Sequence, residues 1–422
     1  MGLKPGYKQT EVGVIPEDWE PMPLKRLGSP VRGGSPRPAG DPRYFNGSYI
    51  PWLTVAALTN IPSSQLLVSD TAACLTEEGS FRSRTLQPGT LIIANSGATL
   101  GIAKILGIRC CANDGVAALL NLAKGISPLY LAHFINTKTD FLRDVVATGN
   151  GQPNLNTSLI GDFIVPLPPT RAEQEAIAEA LSDADALIES LELLIAKKRH
   201  LKQGAMQELL TGKKRLPGFT GKWELKRLGD LGSTFGGLTG KSKQDFGHGE
   251  AHYITFMNIM SNVVIDGGIF ELVYVVPTES QKRVAKGDLF FNGSSETPEE
   301  VGMCAVLAQD VQDVYLNSFC FGFRFREGVS AEGLYLAYYF RSSQGRELLK
   351  SLAQGATRYN LSKTALLRVE FPLPTHPEQT AVAAVLSDMD TEIATLEIKL
   401  TKARQLKTGM MQELLTGRIR LL

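Results

Sequence analysis

The chain has no cysteine framework. Its five cysteines, Cys74, Cys110, Cys111, Cys304 and Cys320, are odd in number and include no Cys-x-x-Cys pair. That argues against a disulfide scaffold and against a structural zinc site. They read as reduced, mostly buried thiols of a cytoplasmic protein. No apolar run approaches the roughly 18 residues that a membrane-crossing helix needs, so no membrane partner is expected. The N-terminal stretch MGLKPGYKQTEVG is polar and lacks the apolar core of a signal peptide. A charge excess is missing too: 44 Lys+Arg stand against 43 Asp+Glu, a net charge of +1. Such a balance neither implies nor excludes nucleic acid, because the distribution of charge matters more than its sum.

Catalytic signatures are also scarce. GGLTGKS (Gly236–Ser242) resembles a phosphate-binding loop, but its leading glycine would have to occupy position 235, which is Phe235. A loop one residue short cannot cradle phosphates in the usual way. HGEAH (His248–His252) places two histidines four apart, yet its glycines point to a turn and not to a zinc-binding helix. No Gly-x-Gly-x-x-Gly follows a strand as a nucleotide-binding unit requires, and no Ser/His/Asp or Cys/His spacing stands out. No catalytic and no metal-binding residue is therefore assigned.

What the 422 residues do contain is a repeat. MQELLTG at Met206–Gly212 recurs verbatim at Met411–Gly417. Upstream of it, Glu173–Gly212 aligns without a gap to Glu378–Gly417. VPLPPT (Val165–Thr170) answers FPLPT (Phe371–Thr375), GNGQPNLN (Gly149–Asn156) answers GATRYNLS (Gly355–Ser362), and LYLAHFI (Leu129–Ile135) answers LYLAYYF (Leu334–Phe340). Trp19, Glu20 and Arg26–Gly28 return as Trp223, Glu224 and Arg227–Gly229. Internal repeats of this kind organise a fold before any local pattern does. The chain is two copies of one unit, each a variable part followed by a nearly constant one.

The constant part reads as a long helix. Ile177, Leu181, Ala184, Ile188, Leu191, Ile195, Leu201, Ala205 and Leu209 fall mostly three or four apart, as do Val382, Leu386, Met389, Ile393, Leu396, Leu400, Ala403, Leu406, Met410 and Leu414. This is a heptad-type seam. Prolines precede each stretch, none interrupts it, and Gly212 or Gly417 follows as the expected C-cap. At 1.5 Å per residue such a helix is roughly 58 Å long. Its apolar stripe must be buried, either on its own domain or on the other helix. Matched heptads favour antiparallel pairing by a pseudo-twofold, with Ile177, Leu181, Ile188, Leu191 and Ile195 facing Leu386, Met389, Ile393, Leu396 and Leu400.

The variable parts read as strand-rich α+β domains. Thr90–Leu106 and Asp288–Leu307 carry β-branched or aromatic runs broken by Gly, Asn and Ser. Ser127–Val146 and Ala331–Leu352 each read as an amphipathic helix. Around residues 24–43, Lys25, Arg26, Arg32, Arg37 and Arg43 face a single acid, Asp41, in a glycine- and proline-rich loop that leads to Tyr44, Phe45, Tyr49 and Trp52. The second copy carries Lys222, Lys226, Arg227, Lys241 and Lys243. Basic glycine-containing loops can approach a phosphate backbone, and Asn, Gln and Arg supply the bidentate donors that read base edges. The DNA-binding candidates are Arg32, Arg37, Arg43, Trp52, Asn95, Ser96, Gln152 and Asn154 in one copy. In the other they are Lys241, Lys243, Asn292, Ser294, Arg358 and Asn360. Any one of them could equally be a solvated loop side chain or a turn residue.

GYKQTEVGVIPEDWE, GGSPRP…YFNGSYIPWLT, GNGQPNLN with VPLPPTRAEQEAIAEAL, and KQGAMQELLTGKKRLPGF together resemble the specificity subunits of type I restriction–modification systems. The resemblance spans nearly the whole chain and is most specific in the two Pro-x-Pro…Glu-Gln helices with their Leu-Leu-Thr-Gly ends. It implies two similar strand-rich target recognition domains separated by two long helices packed as an antiparallel coiled coil. By residue, it implies an arm and first recognition domain over 1–169, a helical spacer over 170–213, a second recognition domain over 214–374 and a second spacer over 375–422. It further implies a non-catalytic subunit, each domain of which reads one half of a bipartite site in double-stranded DNA while the helices set the unspecified gap. The implied partners are two modification subunits, which methylate adenine with S-adenosylmethionine after flipping it from the stack, and restriction subunits that translocate DNA with ATP and Mg2+. The chain itself would bind no cofactor. Two other classes stand beside this reading: an enzyme acting alone, which the missing signatures oppose, and a coiled-coil scaffold without DNA readout. A specificity subunit of a methylation-only system is a narrower variant.

Overall fold

The repeat visible in the sequence recurs in the hydrogen bonding. The structure, a computed structural model, describes residues 5–148 and 153–421. The chain divides into one unit made of Met1–Leu194 with Leu396–Leu422 and another made of Ile195–Thr395.

The first unit holds a five-stranded sheet in the order Ser29–Arg32, Val116–Leu120, Leu91–Ala94, Ala103–Leu106, Leu67–Val68. Beside it lies a four-stranded sheet in the order Cys74–Leu75, Phe45–Leu53, Cys110–Ala112, Arg84–Leu86. The second unit repeats the plan with Gly232–Gly236, Cys320–Phe325, Leu289–Asn292, Cys304–Val306, and a three-stranded sheet of Glu271–Val273, Phe246–Ile254, Val314–Leu316. In both, the central strand is buried on both faces (Leu91–Ala94 and Leu289–Asn292). Such strands read as unbroken apolar runs and not as alternating ones. A two-stranded ribbon closes each unit, Glu20–Pro23 with Ile164–Leu167 and Glu224–Arg227 with Glu370–Leu373.

The two helices expected beside the sheets are shorter than their sequence pattern suggests. Pro128–Asn136 stops at Thr137 and gives way to a short turn and a wide π-type turn over Leu142–Val146. In the other copy, Gly333–Arg341 ends at Ser342, whose hydroxyl caps a new helix, Ser343–Lys350, by accepting from the Gly345 N–H. A serine in extended conformation (φ −68°, ψ 162°) interrupts one ladder and starts the next. HGEAH also departs from expectation. It lies within the strand Phe246–Ile254, where a bulge between Phe246 and Ala251 accommodates Gly249 at φ +97°.

Each constant segment is a 39-residue helix, Arg171–Leu209 and His376–Leu414. The Thr170 hydroxyl caps the first by accepting from Glu173 N–H at 3.2 Å. The second ends in a left-handed Gly417 (φ +69°), with Arg418 N–H donating to Glu413 O and Gly417 N–H to Leu414 O. This is the Schellman pattern that a C-terminal glycine permits. Gly212 has the same φ.

Within each unit the two helices run antiparallel. In the first, Glu173 pairs with Arg420, Asp185 with Lys407 (2.5 Å) and Glu192 with Arg404 (2.6 Å). In the second, Lys198 pairs with Glu392 (2.6 Å), Lys202 with Asp390, and Arg215 with Glu378. As the number rises on one helix it falls on the other. Ile177, Leu181, Ile188 and Ile195 are buried, as are Leu386, Ile393, Leu396 and Ala403, whereas Leu191, Met389 and Leu400 are half-buried. Leu201 and Leu406, which the heptad pattern places in the seam, are exposed. The lysine that follows each of them turns inward to its aspartate, so the buried face is rotated by one residue. The helix starts also pack on their own domains: Ile177 and Leu181 share a core with Trp19 and Tyr130, and Val382 and Leu386 share one with Tyr335 and Phe371. Among the described residues, no helix is long and apolar enough to cross a membrane.

Candidate nucleic-acid interface

Two polar ladders, one per unit, bring several of the candidate residues together. In the first unit Ser96 bridges Asn154, which exchanges backbone hydrogen bonds with Thr148 at 3.1 and 2.9 Å. In the second, Ser294 pairs with Asn360, which exchanges bonds with Gln354 at 3.0 and 2.8 Å. Buried leucines anchor both: Leu155 N–H donates to Asn95 O (2.8 Å) and Leu361 N–H to Gly293 O (2.9 Å). The apolar anchor holds the strand pair down while the polar residues above it stay at the surface.

In the second unit the ladder carries a tight tip. Gly355 has φ +134°, and a Cβ there would lie 2.1 Å from Arg358 O, so only glycine fits. Arg358 and Asn360 are exposed beyond it, and the Asn360 Nδ2 donates to Arg358 O at 3.3 Å. Beside the tip lies a hollow of about 370 Å3, walled by Gly236, Gly237, Ser318, Phe319 and Lys363 together with Ser294 and Asn360. Gln152, which aligns with Arg358, lies outside the described residues.

Gly237 belongs to the wall of that hollow, and its counterpart Gly33 is held just as tightly against neighbouring backbone. A Cβ on Gly237 would lie 2.0 Å from Asn317 O, and one on Gly33 would lie 2.1 Å from Asn113 O. The glycines expected to let a loop approach phosphates are thus held against an asparagine turn. Thr239 N–H donates to Gln281 Oε1, and Ser242 with Asp245 forms a capping box, so GGLTGKS leaves a strand and enters a short turn without a phosphate-binding helix start.

The arginine-rich segment of the first unit is tied down to different degrees. Asp114 accepts the Ser35 hydroxyl at 2.5 Å and pairs with Arg37 at 3.7 Å, while its backbone carbonyl takes Arg32 Nε and Asn95 Nδ2. The Ser35 bond, helped by the Arg32 and Arg37 charges, holds the Asp114 carboxyl below its usual range. Arg43 is folded onto Asp41 (2.7 Å) and lies over the Tyr44 ring at 5.2 Å. Arg37, with 74% of its side chain exposed and only the long contact to Asp114, is the least committed of the three.

Four candidates are interior and do not face solvent. Trp52 is 7% exposed and packs edge-on against Phe45 (6.1 Å, 71°), because alternation along Phe45–Leu53 sends it inward with Ile50. Asn95 (2% exposed) and Asn292 (0%) satisfy loop backbone: Asn292 donates to Ser294 O and Glu300 O and accepts from Met303 N–H. Lys241 is covered and paired with Glu279 at 2.6 Å. Lys243 is exposed. Two surface features had no sequence signal. Phe319, 62% exposed, stands at the cleft, and His248 stacks on Tyr274 (5.7 Å, 15°) only because their strands pair.

The Lys241–Glu279 pair gives a pH expectation. The Lys241 ammonium, then Gln281 and the Val276 N–H, draw the Glu279 carboxyl down from 4.5 to about 2. A lowered carboxyl value means that its contribution is full above the ordinary value and fades as pH falls towards about 2. The protection of the Val276 amide against exchange, taken relative to the unstructured chain at the same pH, should therefore be high at neutral pH, because its N–H donates to Glu279 Oε1, and should fall as acid removes that charge. Lys241→Ala should move the onset to higher pH; an unchanged profile would mean that the pair does not hold this loop.

Comparisons with known proteins bear on the family and the fold. The family model described as "Type I restriction modification DNA specificity domain" matches residues 16–197 and again 220–403. The chain belongs to that family of type I restriction–modification specificity subunits and carries two of its DNA recognition domains. Among its relatives are the type I restriction enzyme MjaVIII specificity subunit of Methanocaldococcus jannaschii and the StySPI specificity subunit of Salmonella potsdam. The first is 23% identical, covering 96% of this chain and 94% of the relative; the second is 22% identical, covering 97% and 90%. The fold also matches the crystal structure of the S subunit of a type I restriction–modification system from M. genitalium, with a TM-score of 0.59 and 13% identity over 98% of this chain and 99% of that one.

Proposed function

We propose that each unit reads one half of a bipartite DNA site, and that the paired helices act as a ruler for the unspecified bases between. The observation that carries this reading is the recurrence of the same surface ladder, Ser96–Asn154–Thr148 and Ser294–Asn360–Gln354, in both units. Exposed Asn and Arg side chains on a rigid strand pair suit base-edge contacts in a groove, and Arg37, Lys243 and Arg358 suit phosphates or bases nearby. Half-sites read from one side of a duplex lie about 34 Å apart or multiples of that, and a helix of this length, roughly 58 Å, can separate two readers by such a distance.

The chain makes no covalent change in this reading. Two modification subunits would supply adenine methylation with S-adenosylmethionine, and restriction subunits would supply ATP- and Mg2+-dependent work, in the cytoplasm. Leu187, Leu193, Leu194 and Ile398, exposed on the long helices, give such partners an apolar surface. Partners that share in neutralising phosphates also account for a chain of net charge +1. The test exchanges Asp18–Pro169 for the same segment of another family member and maps methylated sites in cells that also express the modification subunit. One half-site should change while the other half and the gap stay. Change in both halves, or in neither, would refute independent reading.

A further inference from the structure

One turn recurs in both units with its backbone bonds kept and its side chains exchanged. In the second unit, Asn317 Oδ1 accepts from Phe319 N–H at 3.0 Å, and Phe319 O takes Gly293 N–H at 3.0 Å. In the first, Asn113 Oδ1 accepts from Gly115 N–H at 3.2 Å, and Gly115 O takes Asn95 N–H at 2.9 Å. The strand register agrees: the residue after the turn is Cys320, paired with Asn292, or Val116, paired with Ala94. Gly293 and Asn95 lead directly into Ser294 and Ser96 of the polar ladders. Asp114–Gly115 of one copy is therefore Ser318–Phe319 of the other.

The first unit has no room for a side chain at that point, because a Cβ on Gly115 would lie 2.4 Å from Val55 Cγ2. Phe319 instead stands 62% exposed. A ring left in water contributes little to its own fold, since the apolar gain comes from leaving water. The ring is held all the same. Its backbone is bonded on both sides, which seats it on the wall of the hollow that Ser294, Asn360 and Lys363 also line. Polar side chains there can bond to base edges, and the exposed ammonium of Lys363 suits a phosphate. An apolar ring can do neither. Of the groups that base pairs display in the major groove, only the thymine 5-methyl is apolar.

We infer that Phe319 is a specificity-determining residue of the second unit, which selects thymine at one position of its half-site by contact with the 5-methyl group. The inference rests on the reading that the Ser294–Asn360 face meets DNA. A wedge pushed between base pairs is the rival use of such a ring. The anchored backbone seats the ring on the wall of the hollow beside the ladder and not at the Gly355–Arg358 tip, which favours edge contact.

The site is first mapped as methylated sequence in cells that express the full chain with its modification subunit, and the exchange of Asp18–Pro169 shows which half the second unit reads. Binding of the complex is then measured on duplexes in which each thymine of that half, on either strand, is replaced in turn by deoxyuridine, which lacks only the methyl. One replacement should weaken binding about fourfold, the worth of one buried methyl-sized group. Phe319→Ala should weaken binding to the thymine duplex and make the two duplexes equal. Phe319→Leu, still apolar, should keep a preference for thymine. Asn360→Ala separates the inference from the reading beneath it. If that variant relaxes the second half while Phe319→Ala keeps the full thymine preference, the reading stands and the assignment of Phe319 falls. If neither variant alters recognition of that half, both fall. A half-site without thymine, or no replacement that weakens binding, would also overturn the assignment.

Discussion

Adding one heptad to each long helix should widen the unspecified gap of the DNA site by about three base pairs. The insertions belong at facing points, between Leu194 and Ile195 and between Thr395 and Leu396, where the two units divide. Seven residues lengthen a helix by about 10.5 Å, and duplex DNA rises about 3.4 Å per base pair along each strand. A heptad also returns the helix nearly to its starting phase, within about 20°, so Ile188, Ile195, Ile393 and Leu396 keep facing inward. The added turns should repeat the apolar pattern, or the seam will splay. Mapping methylated sites of the variant reads both half-sites and the spacing in one experiment. Half-sites unchanged with a wider gap is the expected outcome; the original gap would show that something other than helix length sets it.

Arg215→Met should be the most damaging single change outside the apolar cores. Glu378 is 1% exposed at the start of the second long helix, and Arg215 grips it with both arms of its guanidinium. Trp223 adds its indole N–H at 3.3 Å, and the guanidinium lies over the indole ring at 5.5 Å. Removing the arginine leaves a buried carboxylate with one weak donor. Such uncompensated charges cost about 3 kcal/mol or more. For a unit of this size that is a fall of roughly 6–12 °C in melting temperature. Pairing Arg215→Met with Glu378→Leu should recover most of the loss, because the apolar pair asks for no solvation. If the double variant melts as low as the single one, the loss comes from packing against Trp223 and not from the stranded charge. In the first unit Arg420 grips Glu173 in the same way and lies over the Trp19 ring, but Asp18 is the added partner there and the Trp19 indole N–H makes no bond to the glutamate.

Much of the architecture was legible without coordinates because its signals are local or repeated. The three-and-four spacing of Ile177 to Ile195 and of Leu386 to Leu396, the prolines before each helix and the glycines after them are properties of neighbouring residues. The duplicated MQELLTG showed that whatever one half does, the other does too. The finer assignments fared differently for a physical reason. Leu201 and Leu406 carry the right spacing, yet inward-turning Lys202 and Lys407 take the buried face because a paired carboxylate waits there. Trp52 sits near basic loops in sequence, but strand alternation sends it into the interior. Asn292 looks like a surface reader and instead ties three backbone groups of its own turn.

By itself the sequence determined the duplication, the helix lengths, the positions of their caps and the family to which the chain belongs, because these depend on residue order and period alone. Only the tertiary structure decided which polar residues remain at the surface. Whether Asn154 and Asn360 are presented while Asn95 and Asn292 are consumed depends on partners far away in the chain. The same holds for Asp185 and its aligned twin Asp390: a lysine of the facing helix holds each, but the Tyr338 hydroxyl reaches Asp390, whereas His133, which aligns with that tyrosine, meets Ser182 instead.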